Sequence, residues 1–209
     1  MKIATAAYPL DVLSSWAQYE DKLSRWVAEA AGQGAELLVF PEYGAMDLAT
    51  LEGLEVAGDL ERSLFAVSDR LAEAAALHVK LAAVHGVHIL AASAPAATDT
   101  RPVNRARLIG PGGGIGVQDK QIMTRFEEEV WDVIPGGPLR VFDTALGKIG
   151  VLICYDSEFP LLGRALRHCD IICVPSVTET LGGYWRGRIG AMARALEGQC
   201  ATAMSSIVG

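Results

Sequence analysis

The sequence predicts an α/β domain with a mixed sheet, and three observations lead there. Short apolar runs alternate with longer runs whose apolar residues recur at offsets of three and four, the signatures of strands and amphipathic helices. Two pairs of apolar runs are joined by short glycine-containing turns, which places antiparallel hairpins among the alternating elements. Hydrophobic residues make up 51% of the 209 positions and charged residues 21%, enough apolar side chains for a large core.

Taken in order, residues 2–8 alternate weakly and read as a first strand. In 14–31, Trp16, Tyr19, Leu23, Trp26, Val27 and Ala30 mark one apolar helix face, ended by Gly32 and Gly34. ELLVF at 36–40 is a short strand stopped by Pro41. Leu60, Leu64, Val67, Leu71 and Ala74 repeat at helical spacing, and 79–93 return to strand character. VNRARLIG and GIGVQDK flank Pro111-Gly112-Gly113, and LRVFDT and KIGVLIC flank Ala145-Leu146-Gly147, giving two hairpins. PLLGRALRH at 160–168 reads as helix and DIICVP as a buried strand. Residues 185–197 set Trp185, Ile189, Met192, Ala193 and Leu196 on one helical face, and QCATAMSS closes the pattern as a strand. No internal repeat or long linker divides the chain, so residues 1–209 are expected to form one domain.

Several function classes are disfavoured. Eighteen basic against 25 acidic residues leave a net charge of −7 with no long basic run, a poor match to nucleic acid or anionic lipid. No apolar h-region follows Met1, and the longest apolar stretch, 81–97, is interrupted by His85, His88, Ser93 and Pro95, so neither export nor membrane insertion is expected. The expectation is a cytoplasmic protein with reduced thiols at Cys154, Cys169, Cys173 and Cys200. Cys169 and Cys173 are four apart, but no second close pair completes a zinc set, and no metal is expected. GPGGGIG at 110–116 misses the dinucleotide spacing and is a hairpin turn. No GxSxG or HExxH occurs, and His85 and His88, three apart in an expected strand, should face opposite ways.

One segment carries chemistry. In GKIGVLICYDSEFPLLGRALRH, 147–168, a strand runs into Cys154, a turn follows, and a helix begins near Pro160, with Asp156 or Ser157 available as its cap. A thiol at the carboxyl end of a strand, beside amides of a helix start, suits a nucleophile. Glu42 directly follows ELLVF-Pro41, and Lys120 ends GIGVQDK. A carboxylate could take the thiol proton, and an ammonium could stabilise negative charge on a carbonyl oxygen.

These residues resemble the carbon–nitrogen hydrolase, or nitrilase-like, superfamily, and its amidase-like branch in particular. The resemblance rests on FPEYG at 40–44, DKQIMTRFEEE at 119–129, LICYDSEFP at 152–160 and ARALEGQC at 193–200, and spans essentially the whole chain. It implies a four-layer α-β-β-α sandwich, short at its C-terminal end, where family members continue for several dozen residues. It also implies Cys154 as nucleophile, Glu42 as general base, and Lys120 with the Tyr155 backbone N–H as oxyanion donors. The reaction would be hydrolysis of a small amide or carbamoyl compound through a thioester, with no cofactor. A homodimer or larger homo-oligomer is implied as well. The family carries a second glutamate between the lysine and the cysteine. Glu127, Glu128 and Glu129 compete for that place; in family members it lies six residues before a Pro-Gly-like turn, here Pro135-Gly136, and 135 − 6 = 129 makes the resemblance favour Glu129, then Glu127. Tyr43, Tyr155 and Ser176 are expected to line the substrate pocket. Two alternatives stay open: a Cys–His thiol hydrolase using His168 or His85, and a non-catalytic binding protein on the same fold.

Overall fold

The computed structural model describes residues 1–208. In chain order the strands are β1 (Ile3–Thr5), β2 (Ala7–Pro9), β3 (Leu37–Val39), β4 (His88–Leu90), β5 (Ala94–Ala96), β6 (Val103–Gly110), β7 (Gly113–Asp119), β8 (Val141–Thr144), β9 (Gly147–Val151), β10 (Ile171–Ser176) and β11 (Ala201–Val208). The helices are α1 (Trp16–Gly32), α2 (Leu54–Ala57), α3 (Arg62–His85), α4 (Arg125–Glu129), α5 (Pro160–Ala165) and α6 (Leu181–Gly198). They build two mixed sheets, one ordered β1-β3-β4-β6-β5 with β7 on β6, the other β2-β11-β10-β9-β8.

The alternation of side chains along each strand explains the layering. In β3, Leu37 and Val39 meet Ile149 and Val151 of β9 and Ile171 and Cys173 of β10 in a core between the sheets. Leu38 and Phe40 point the other way, against Leu23 and Val27 of α1 and Val67, Leu77 and Leu81 of α3. Ile172 and Val174 of β10 face outward onto Leu166 and Ala191, on the side of α5 and α6. Helices, sheet, sheet and helices thus form the α-β-β-α sandwich. Each valine, leucine, isoleucine or phenylalanine fully buried in these three cores contributes about 1.5–3 kcal/mol.

The expected first strand is two strands. β1 pairs in parallel with β3 of one sheet, and β2 pairs in parallel with β11 of the other. Between them, Ala6 donates its N–H to Val39 O at 3.0 Å and accepts from Ser206 N–H at 3.2 Å, so one short run joins both sheets.

Two other readings change. Residues 79–85 are not strand but the end of α3, because Leu77, Leu81 and Ala82 continue its buried face until Gly86, at φ +66, ends it in a left-handed cap. A continuous apolar run does not by itself separate helix from strand. His85 therefore ends a helix and His88 starts a strand, so the opposite-faces reading does not apply. In α6, the apolar face read from the sequence is the outer one: Trp185, Ile189, Met192 and Leu196 are exposed. The inward face is Gly183, Gly187, Gly190, Ala191 and Arg194. Small residues lie inward because α6 packs very close to the turn after Cys154. A Cβ on Gly190 would stand 2.8 Å from Ser157 O.

Candidate active site

Strand direction brings three distant residues to one edge. β3 is parallel to β1 and β4, and β7, antiparallel to β6 as β6 is to β4, runs the same way. β9, β10, β11 and β2 are likewise parallel in the other sheet. Glu42 follows β3, Lys120 immediately follows β7, and Cys154 follows β9, each at a carboxyl end. All three line one cavity of about 500 Å³, a size that suits a small ligand.

Lys120, 1% exposed, is the centre of the polar cluster. Its Nζ donates to Glu42 Oε1 and to Glu127 Oε2, both at 2.6 Å. Asn104 of β6, fully buried, donates Nδ2 to Glu42 Oε1 at 3.0 Å and to Glu127 Oε1 at 3.2 Å. Tyr43 donates its hydroxyl to Glu127 Oε1 at 2.9 Å. Glu127 is also the N3 residue of α4, and its Oε2 accepts from the N–H and hydroxyl of Thr124, each at 2.9 Å, in a capping box. The Lys120 backbone is held too, its N–H on Asn104 O at 2.9 Å and its carbonyl on Gly136 N–H at 3.0 Å. A Cβ at Gly136 would overlap Asp119, so the Pro135-Gly136 turn closes onto the lysine only with glycine there.

The second-glutamate expectation is corrected by this placement. Glu129 is exposed and pairs with Arg125 at 3.1 Å on the surface of α4. Two residues along a helix turn the side chain by about 200°, so Glu127 and Glu129 cannot face the same cluster. The T-x-x-E pattern of Thr124 and Glu127 was the sequence signal for the buried one. Asn104 had no such signal, since a polar residue in VNRARLIG reads equally well as solvent-facing.

Cys154 opens a 3-10 turn over Cys154–Glu158 and takes φ +47, a left-handed conformation unusual for a residue with a Cβ. The Tyr155 amide lies in the first turn of that segment, where an N–H has no partner within the turn. Cys154 Sγ accepts from the Ser176 hydroxyl at 3.3 Å and donates to Val177 O at 3.4 Å. Ser176 is fully buried behind the thiol and is not on the cavity wall, contrary to its expected role as a pocket residue. Tyr43 and Tyr155 do reach the wall, with Met46, Phe126, Trp131 and Val177. Among the described residues, no histidine lines the cavity. His168 is exposed and His85 ends α3, so neither meets the thiol that a Cys–His reading requires. Asp156 and Ser157 do not cap α5: its N-cap is Phe159, and Pro160 starts the helix.

Charge separates the two carboxylates beside Lys120. Burial raises the Glu42 carboxyl, and Glu127's charge adds to the rise, outweighing Lys120. Burial also acts to raise Glu127, but Lys120 and the Thr124 donors overcome it and hold its carboxyl below the ordinary value. Burial acts to lower Lys120, but Glu42 and Glu127 keep it above the usual lysine range, a firm cation. Burial, then the charge of Glu42, pushes the Cys154 thiol up to about 12. A protonated thiol, a carboxylate that can take a proton, a fixed cation and a fixed anion thus share one cleft.

Residues 2–209 match the carbon–nitrogen hydrolase family. The chain belongs to that family. Among curated relatives, the "Probable hydrolase YhcX" of Bacillus subtilis (strain 168) is 33% identical over all of this chain. The chain spans 40% of that relative's length. "Omega-amidase NIT2-B" of Xenopus laevis is 26% identical over 89% of the chain and 67% of its own. Among solved structures, an amidase from Nesterenkonia sp. is 25% identical with a TM-score of 0.72, covering the whole of this chain and 76% of its own. The sandwich is therefore the family's fold, in a chain shorter than these members.

Proposed function

We propose that the protein hydrolyses a non-peptide carbon–nitrogen bond of a small amide or carbamoyl compound through a thioester on Cys154. The observation that carries this reading is the meeting of Cys154, Glu42 and Lys120 on one cavity wall, with Lys120 Nζ 2.6 Å from Glu42. Family membership and the amidases among its relatives support the reaction class.

The charges suggest the sequence of steps. With a pKa near 12 the thiol does not ionise alone at neutral pH, so Glu42, its carboxyl raised by burial, takes the proton as Sγ attacks the carbonyl carbon. The oxygen gains negative charge, which Lys120 Nζ and the Tyr155 N–H stabilise. Glu42 returns the proton to the nitrogen, the C–N bond breaks, and ammonia or an amine leaves. Water, losing a proton to Glu42, then attacks the thioester, and the acid departs as the thiol is restored. Glu127 stays ionised throughout and holds Lys120 in place. No step calls for a metal or organic cofactor.

Assembly as a homodimer or larger homo-oligomer belongs to the same proposal. It is supported by the exposed stripe of Trp185, Ile189, Met192 and Leu196 on α6, and light scattering of the purified protein reads it.

The test of the chemistry is ammonia release across small amides, carbamoyl compounds and nitriles, with intact-mass detection of an acyl adduct. Wild-type protein should turn over at least one amide, and Cys154→Ala should lose both turnover and adduct while its melting curve is kept. Turnover retained in Cys154→Ala would end the reading.

A further inference from the structure

We propose that Asp156 is a positioning residue: its carboxylate ties the turn that carries Cys154 to the segment that follows Lys120, and so sets nucleophile and cation relative to each other. The side chain is fully buried, and each of its hydrogen-bond partners is a backbone N–H. Oδ1 accepts from Ile122 at 2.9 Å and from Gln121 at 3.1 Å. Oδ2 accepts from Ile153 at 3.2 Å and from Gln121 at 3.3 Å. One carboxylate thus holds the residue before the nucleophile and the two residues after the lysine.

The nucleophile's segment needs such a tie. Cys154 sits at φ +47, a conformation that persists only where the surroundings over-determine it. On its far side the turn is braced by Ser157 Oγ on Cys154 O at 2.7 Å and by Arg194 of α6 on Ser157 O at 3.1 Å. Those bonds anchor the turn to itself and to α6, and Asp156 anchors it to the lysine. Burial pushes the Asp156 carboxyl up to about 7, while the Ile122, Gln121 and Ile153 donors and the charge of Lys120 act the other way. A buried carboxylate whose partners are all donors is a poor choice for packing alone, since a buried charge is costly.

Asp156→Asn keeps the size but offers one acceptor oxygen, so its NH₂ must face either Ile153 N–H or the Gln121 and Ile122 amides, donor against donor. The variant tests the inference in two ways. The first rests on the amidase reading: kcat per folded molecule should fall at least tenfold, with KM within threefold of wild type. The second does not need turnover. Alkylation of Cys154 by iodoacetamide, followed by intact mass against a Cys154→Ala blank, should slow at least threefold, because the thiol loses the nearby cation that favours its thiolate. A merely structural role gives the opposite sign, since loosening exposes buried thiols and speeds alkylation. Faster or unchanged alkylation in the folded variant, or a kcat loss that vanishes after correction for the folded fraction, overturns the inference. If Asp156→Asn does not fold, Asp156→Ser carries the same two measurements. A wild-type protein without turnover would count against the amidase reading, and the alkylation comparison would still decide the role of Asp156.

Discussion

Replacing Glu127 by glutamine removes one charge and changes almost no volume, which makes it the sharpest probe of the polar cluster. Glu127 offers two oxygens to five donor contacts: Lys120, Thr124 N–H and Thr124 hydroxyl on Oε2, and Tyr43 and Asn104 on Oε1. Glutamine keeps one acceptor. If it faces Lys120 and Thr124, its NH₂ meets Asn104 Nδ2, donor against donor. If it turns, the lysine keeps Glu42 but meets an NH₂ where Glu127 Oε2 stood. Either way one charge-assisted hydrogen bond is lost, worth about 1.5–3 kcal/mol. At about 1.36 kcal/mol per decade of rate, kcat should fall roughly 10- to 150-fold. The comparison is Glu129→Gln, which breaks an exposed pair with Arg125 worth less than about 0.5 kcal/mol and should leave kcat within twofold. Steady-state ammonia release on the best amide of the panel, with melting curves for both variants, reads the contrast. A loss in Glu129→Gln as large as that in Glu127→Gln would refute the geometric assignment and restore the spacing argument.

Two further expectations follow from the same geometry. Glu42 must be ionised to accept the thiol proton, and burial raises its carboxyl, so kcat/KM should fall as pH drops through an acid limb with its midpoint above 4.5. Above about pH 8, where Asp156 too is ionised, the profile should be flat, because Cys154 does not ionise on its own until about 12; a tenfold rise per pH unit continuing through about 8 to 9.5 (roughly the window where free thiols titrate) would contradict base-assisted attack. Gly190→Ala places a Cβ 2.8 Å from Ser157 O, where backbone must move. Such overpacking costs about 1–3 kcal/mol, a fall in Tm of roughly 2–12 °C for a chain of this size, with activity lost as the Cys154 turn shifts. Gly182→Ala on the same helix, with its nearest neighbour at 3.9 Å, should melt no lower than wild type.

What the sequence determined by itself was local. Periodicity of 3.6 and of 2 marked most helices and strands, because each buries one face. The position of Glu42, Lys120 and Cys154 after apolar strands was legible for the same reason, since a strand's end is visible in its residues. Even the glutamate that reaches Lys120 left a local trace, the capping box from Thr124 to Glu127. Direction and partnership came only with the packing of distant segments. The outward apolar face of α6 and the inward face of glycines invert the usual pattern, because close approach to the Ser157 carbonyl leaves no room for a side chain at Gly190. The division of residues 3–9 between two sheets depends on where β3 and β11 lie, with Ile3 paired to Leu37 and Ala7 to Ser206. The buried ties of Asn104 and Asp156 join segments that are strangers in sequence. A polar residue in an apolar context carries no mark of its eventual partner. Hydrogen bonds to Glu42 and to the Gln121 and Ile122 amides exist only once the sheets have been stacked and their carboxyl ends brought to one edge.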